Sequence, residues 1–93
     1  MLTMDIIRRQ ALPLAVKYKV KRLEVFGSYA DGTSTESSDV DFLAEFAVPV
    51  PSIFAVMGFR EELSMRLNKP VDVVTLPISH PERLLIQTTE RIL

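Results

Sequence analysis

The chain has 93 residues, 47% of them hydrophobic, and its eleven Lys and Arg side chains against twelve Asp and Glu give a net charge of -1. This balance lacks the basic excess typical of nucleic-acid binders, and the absence of cysteine excludes disulfides and thiolate metal sites. The length predicts a single domain over residues 1–93. No apolar run approaches the roughly 20 residues of a membrane span, so we expect no binding to a membrane. The charge balance predicts no direct binding to nucleic acid, and the absence of cysteine is typical of a cytoplasmic protein.

The first predicted element is a helix over residues 4–18, where apolar side chains recur at the spacing of one helix face. Pro13 predicts a kink, or a new helix start near Ala11, because proline removes a helix hydrogen bond. Residues 22–26 are predicted to form a strand, which Gly27 and Ser28 end. The polar stretch 27–38 then predicts a short helical turn and a loop.

The second half of the chain repeats the alternation of strands and helices. A strand is predicted at 40–46, and Ser52 is the expected N-cap of a helix over 53–67. A valine-rich strand at 71–76 and a capping box that begins a last helix over 79–93 complete the chain. This order predicts a small α/β fold with helices packed on a sheet.

Two carboxylates mark the start of the second predicted strand. Side chains two residues apart on a strand share one face, so Asp39 and Asp41 project together. Their repulsion destabilises the fold unless a cation or a hydrogen-bond network offsets it. A hard divalent metal such as Mg²⁺ binds carboxylate oxygens together with substrate phosphates, so the pair suggests such a metal. Asp72 interrupts the valine run and could join the metal site or act as a general base, or it could be a strand-end residue that faces solvent. The pair alone fits turn chemistry better, because short acidic motifs are more often structural.

Gly27 and Ser28 follow the first predicted strand. A Gly-Ser turn that opens a helical turn can offer backbone N–H groups and the Ser28 hydroxyl to phosphate oxygens. Taken alone, such a turn is more often purely structural. Ten residues separate Ser28 from Asp39, which gives a phosphate cradle and an acidic pair at a fixed separation. The combination is far more specific than either half.

This pattern resembles that of the minimal nucleotidyltransferases, small members of the DNA polymerase β-like superfamily, which carry G-S-x(10)-D-x-D. The stretches "VKRLEVFGSYADG" and "NKPVDVVTL" also look like the family, and the resemblance runs from about Ile7 to Leu76. It implies a short mixed sheet of about three strands flanked by helices.

The resemblance also implies roles for single residues: Gly27 and Ser28 would bind the nucleotide phosphates, and Asp39 and Asp41 would be catalytic ligands of Mg²⁺. Asp72 would be the third catalytic and metal-binding acid. Many proteins of this family are antitoxins of a HEPN-domain ribonuclease toxin, and some transfer AMP from ATP to tyrosine hydroxyls of that toxin. The implied partners are therefore ATP and a HEPN protein, in a hetero-oligomer.

One position departs from the family pattern. The family commonly has G-S-x-A-R-G, whereas Asp31 stands in place of the arginine. A negative charge there predicts weaker nucleotide binding, so a catalytically inactive antitoxin or assembly subunit is the alternative function. A small-molecule transferase is a lesser one.

The apolar surplus of the chain leaves a second question open. Ile53, Phe54 and Met57 do not all fit the stripe that the helix over 53–67 should bury. They form a docking patch if they are exposed, or an enlarged helix core if they are buried.

Overall fold

The computed structural model describes residues 2–48, 51–76 and 89–93. The elements in chain order are α1 Met4–Lys17, β1 Val20–Phe26, α2 Ser28–Asp31, β2 Val40–Phe46, α3 Ile53–Leu67, β3 Val71–Leu76 and β4 Thr89–Arg91.

The strands form one mixed sheet in the order β3-β2-β1-β4. β2 pairs with β1 antiparallel and with β3 in parallel, and β4 lies antiparallel to β1. The predicted mixed α/β fold is confirmed, with four strands in place of about three.

The fourth strand corrects the prediction of a last helix over 79–93. Thr89–Arg91 is β-strand because it pairs with residues 24–26 of β1, whose free edge needs a hydrogen-bonding partner. Such long-range pairing overrides local helix signals. Residues 79–88 of that predicted helix lie outside the described residues.

The hydrophobic core lies between one face of the sheet and the helices α1 and α3. Alternate residues of β2 supply its centre, since successive strand side chains point to opposite faces. The buried side chains of β2 and of the two helices on this face are Val40, Phe42, Ala44, Phe46, Ile7, Ala11, Leu14, Ala15, Phe59, Leu63 and Leu67. Burying each of the larger ones contributes roughly 1.5–3 kcal/mol.

α1 runs through Pro13 as one helix, so the predicted new start near Ala11 is wrong. Proline removes one backbone donor, but Pro13 is exposed while Ala11, Leu14 and Ala15 around it are buried. Their burial offsets the lost hydrogen bond.

α3 begins as predicted. The Ser52 hydroxyl accepts hydrogen bonds from the amides of Phe54 and Ala55.

Further along the helix, Glu62 accepts hydrogen bonds from Lys17 Nζ and from the Tyr18 hydroxyl, both at 2.6 Å. These bonds join the C-terminal end of α1 to α3 at the protein surface. Within the described ranges, no helix has the length and apolar content needed to cross a membrane.

Candidate functional site

One row of residues crosses the sheet on the face opposite the core. Asp41 of β2 is in register with Asp72 of β3 on one side and with Phe26 of β1 on the other, and Thr89 of β4 follows Phe26. Paired residues on neighbouring strands project to the same face. The two strands that carry Asp41 and Asp72 are therefore adjacent, and both acids lie on the face that α1 and α3 leave uncovered.

Asp39 completes the acidic group. It precedes β2 by one residue and is exposed, whereas Asp41 is partly buried. Burial raises the pKa of the Asp41 carboxyl above its usual range, and the negative charges of Asp72 and then Asp39 raise it further. The structure thus brings Asp39 and Asp72 close enough to Asp41 for their charges to act on its carboxyl. Among the described residues, none of the three takes part in a salt bridge.

Gly27 lies directly against the carboxylate of Asp41. A Cβ added to Gly27 would come within 2.6 Å of Asp41 Oδ2, and the backbone there has φ 76° and ψ -151°. Both the close approach and the backbone conformation require glycine. The turn that was predicted to bind phosphate and the acid that was predicted to bind metal are therefore in contact.

Ser28 begins α2, the short helix that follows the turn. The carbonyl of Gly27 accepts hydrogen bonds from the amides of Ala30 and Asp31, which hold the helical turn closed. Ser28 and Tyr29 carry the first amides of the helix, which have no carbonyl within the helix to bond. These donors and the partly exposed Ser28 side chain stand at the turn beside Asp41.

Asp31 serves the local structure of the turn. Its Oδ1 accepts hydrogen bonds from the hydroxyl of Thr33 at 2.6 Å and from its amide at 3.0 Å. These bonds lower the pKa of the Asp31 carboxyl. Asp31 is not among the charges that act on the pKa of Asp41. Its carboxylate is thus bonded to Thr33 and takes no part in the acidic row, the name we give to Asp39, Asp41 and Asp72.

The loop that leads to Asp39 is held at both ends. The Ser38 hydroxyl accepts a hydrogen bond from the Thr35 amide at 2.8 Å, and Lys69 Nζ donates to the carbonyl of Glu36. The Val40 amide donates to the carbonyl of Pro70 at the start of β3. The polar spacer between the glycine turn and the acids is thereby fixed to the strand that carries the third acid.

The donor atoms at this site fit a hard divalent cation. All are carboxylate oxygens, and a metal would neutralise three negative charges that have no cationic partner among the described residues. Within those same ranges, no group of three or more metal-binding side chains is close enough to hold an ion alone. Mg²⁺ is commonly held by one or two carboxylates with substrate phosphates, so the arrangement fits an ion that arrives with its nucleotide.

Sequence reasoning missed Glu24, a buried carboxylate on the same face of the sheet. Only 8% of Glu24 is exposed. Glu24 accepts a hydrogen bond from the Thr89 hydroxyl at 3.0 Å and forms an ion pair with Arg22 at 3.0 Å. The signal that could have found it is an acid placed between Leu23 and Val25 in a predicted strand. Its bonds tie β4 to β1 next to the acidic row.

Comparison with known proteins places the chain among nucleotidyltransferases. A family model described as the nucleotidyltransferase domain matches residues 7–93. A protein of Methanocaldococcus jannaschii named as a protein adenylyltransferase is 40% identical over 75 residues, which cover 81% of this chain and 80% of that protein.

Solved structures with this fold include toxin–antitoxin complexes. A toxin–antitoxin structure with AMP-PNP superposes with a TM-score of 0.77 at 22% identity, covering 92% of this chain and 72% of that chain. A complex of tri-AMPylated Shewanella oneidensis HEPN toxin with its MNT antitoxin gives 0.72 at 18% identity, covering 96% and 71%. At these identities the likeness shows the shared fold.

Proposed function

Because this chain belongs to the nucleotidyltransferase domain family, we propose that it transfers AMP from ATP to a hydroxyl of a partner protein, in a reaction that depends on Mg²⁺. The partner is a HEPN-domain ribonuclease toxin, the acceptor is a tyrosine, and the chain acts as the antitoxin in a single domain over residues 1–93. The observation that carries this proposal is the contact between Gly27 and Asp41 within a row that also holds Asp72.

Asp39 and Asp41 would hold Mg²⁺ together with the nucleotide phosphates, and Asp72 on the neighbouring strand would join this ion or serve as the general base. When bound, the ion would screen the charge of the triphosphate and of the departing pyrophosphate. The raised pKa of Asp41 supports this assignment, because burial and then the charges of Asp72 and Asp39 disfavour its charged form, and a bound cation would favour that form.

Gly27 and Ser28 would bind and orient the phosphates. The positive φ of Gly27 turns the chain sharply into α2, so the first amides of the helix can donate to phosphate oxygens beside the acids. A Cβ at this position would occupy the space next to Asp41 Oδ2. The lack of a side chain thus lets the nucleotide approach the backbone.

Asp72 is the proposed general base. It is exposed on the same face as Asp41, so a hydroxyl from a docked protein can reach it. Asp72 would accept the hydroxyl proton as the hydroxyl oxygen bonds to the α-phosphorus of ATP. The bond from that phosphorus to the oxygen bridging the β-phosphate breaks, and pyrophosphate leaves with the electron pair.

The choice of acceptor and nucleotide rests on related proteins. A curated relative is named as a protein adenylyltransferase, and solved complexes of the same fold contain an AMPylated HEPN toxin or AMP-PNP. These names support ATP as the nucleotide and a HEPN protein as the acceptor.

A catalytically inactive antitoxin is the alternative, and its main support in the sequence was Asp31. Thr33 holds the Asp31 carboxylate by two hydrogen bonds, and Asp31 does not act on the pKa of Asp41. The position therefore has a structural reason for its acid that is compatible with activity.

The test is the intact mass of a HEPN-domain protein from the same genome, co-expressed with the chain and incubated with ATP and Mg²⁺. Mass steps of AMP with the wild type but not with Asp39→Ala/Asp41→Ala support transfer, and peptide mapping then identifies the modified residue. A HEPN protein that co-purifies with both forms but stays unmodified would refute the transferase and favour neutralisation by binding alone.

A further inference from the structure

α3 carries a second apolar face that the core does not use. Phe59, Leu63 and Leu67 point into the core. The opposite side exposes four large apolar side chains, with exposed fractions of 69% for Ile53, 82% for Phe54, 46% for Met57 and 80% for Met65. At 100° per residue these four fall within one arc of the helix. We call them the α3 patch.

The α3 patch is large for a chain of this size. Four side chains of this kind expose on the order of 500 Å² of mostly apolar surface, near the upper end of the largest patch on a typical monomer. One partner in a standard protein interface contributes about 800 Å². The patch therefore supplies most of the apolar centre of such an interface, and the flexible methionines can adapt to a partner surface.

The patch runs toward the acidic row. α3 ends at Leu67 and leads directly into β3, whose second residue is Asp72. Met65 lies at this end of the helix and Ile53 at the other, roughly 18 Å away at the helical rise per residue. A protein bound along the patch would be held beside the end of the sheet where a hydroxyl must arrive.

Glu61 argues against a second copy of this chain as the occupant. It is exposed in the middle of the patch, between Met57 and Met65. In a two-fold antiparallel pairing of α3 that sets Phe54 against Met65 of a second copy, the two Glu61 side chains come within about 5 Å of each other along the axis. Their carboxylates would repel. A different protein with a Lys or Arg opposite Glu61 fits better.

We propose that the α3 patch is the docking surface for the acceptor protein, which meets it with an apolar groove and a cation opposite Glu61. This inference rests on the function proposed above. Docking holds the acceptor on the helix side of the molecule, while its hydroxyl reaches Asp72 around the β3 edge of the described sheet.

The experiment compares binding of the co-expressed HEPN-domain protein to four forms of the chain. Phe54→Gln/Met65→Gln removes two apolar anchors but keeps helix-forming residues, and should weaken binding about 100-fold or more. Glu61→Lys should weaken it about tenfold. Val16→Gln, at an apolar position on α1 that is 73% exposed, is the matched control and should stay within about twofold of the wild type. Unfolding midpoints in urea and binding of Mg²⁺-ATP should be unchanged in all of them.

Each outcome decides the proposal. Wild-type binding by Phe54→Gln/Met65→Gln, or no binding by the wild type, would overturn it. A wild-type dimer that this double variant converts to monomer identifies a second copy as the occupant and also overturns it. A HEPN protein that binds through the α3 patch but never gains AMP refutes the transferase and leaves the docking surface supported.

Discussion

Gly27 and Gly32 provide a matched test of the contact at the centre of the site. Both have positive φ, at 76° and 83°. A Cβ at Gly27 would lie 2.6 Å from Asp41 Oδ2, whereas a Cβ at Gly32 would meet nothing within 4 Å. Substituting alanine at each position, and at Gly27 also in an Asp41→Ala background, therefore separates the cost of backbone strain from the cost of displacing the carboxylate.

The two substitutions should differ in size and in kind. Gly32→Ala costs about 1 kcal/mol, because alanine tolerates the left-handed region poorly but fits the space. Gly27→Ala adds a more strained backbone and the displacement of Asp41, for a total of about 3 kcal/mol. For a domain of this size these costs lower Tm by roughly 5 °C and 15 °C. Displacement of the carboxylate should also reduce AMP transfer about 100-fold.

The assay is urea denaturation together with initial rates of AMP transfer, at a temperature where both variants are folded. Gly32→Ala should keep its rate within about threefold of the wild type. In an Asp41→Ala background, Gly27→Ala should lose the part of its cost that comes from the contact and keep only the strain. Equal stability losses for the two glycines, or an additive cost beside Asp41→Ala, would show that the contact has no energetic consequence.

Three further substitutions test other parts of the site and fold. Asp41→Asn should stabilise the metal-free chain at pH 7, because the folded-state pKa of Asp41 is raised and its charged form is destabilised above that pKa. The gain should fade as pH falls through the raised folded-state pKa and be absent below the unfolded value of about 4, as measured by urea titrations at several pH values. Asp31→Arg should tighten ATP binding several-fold at low salt, whereas Asp31→Asn as control should change it less, measured by calorimetry; equal affinities would rule out an electrostatic effect of this position on the nucleotide. Ser52→Ala should cost about 1 kcal/mol by removing the acceptor for the amides of Phe54 and Ala55, and Ser52→Asp should retain the cap, measured by urea midpoints.

Local signals predicted the elements that lie around the site. The bounds of β2 at 40–46, of β3 at 71–76 and the start of α3 after Ser52 agree with the structure. Local sequence signals mark the ends of each of these elements: a polar loop or a proline precedes it, and a residue that breaks helices or strands follows it. The alternation of Asp39 and Asp41 with apolar residues could also be interpreted from the local sequence, because the two-residue period of a strand determines which face of the sheet each side chain occupies.

The parts that sequence reasoning missed depend on distant residues. Thr89–Arg91 forms a strand because β1 has an edge to pair, and no local period records that edge. Glu24 is buried by the same pairing and bonds to Thr89. The contact between Gly27 and Asp41 likewise joins residues from two strands, so spacing could indicate a shared site without giving the approach of the two groups.

The pairing of Asp41 with Asp72 also disfavours a misaligned pairing of β3 with β2. A slip of β3 by one residue along β2 would turn Asp72 toward Phe42 and the helices, and would expose the valines on either side of it. Burying an unpaired carboxylate among aliphatic side chains costs several kcal/mol. In the same misaligned chain, burying an apolar residue at this position would cost far less. Asp72 adds repulsion to the correctly folded sheet, but it penalises the nearest wrong alignment more heavily.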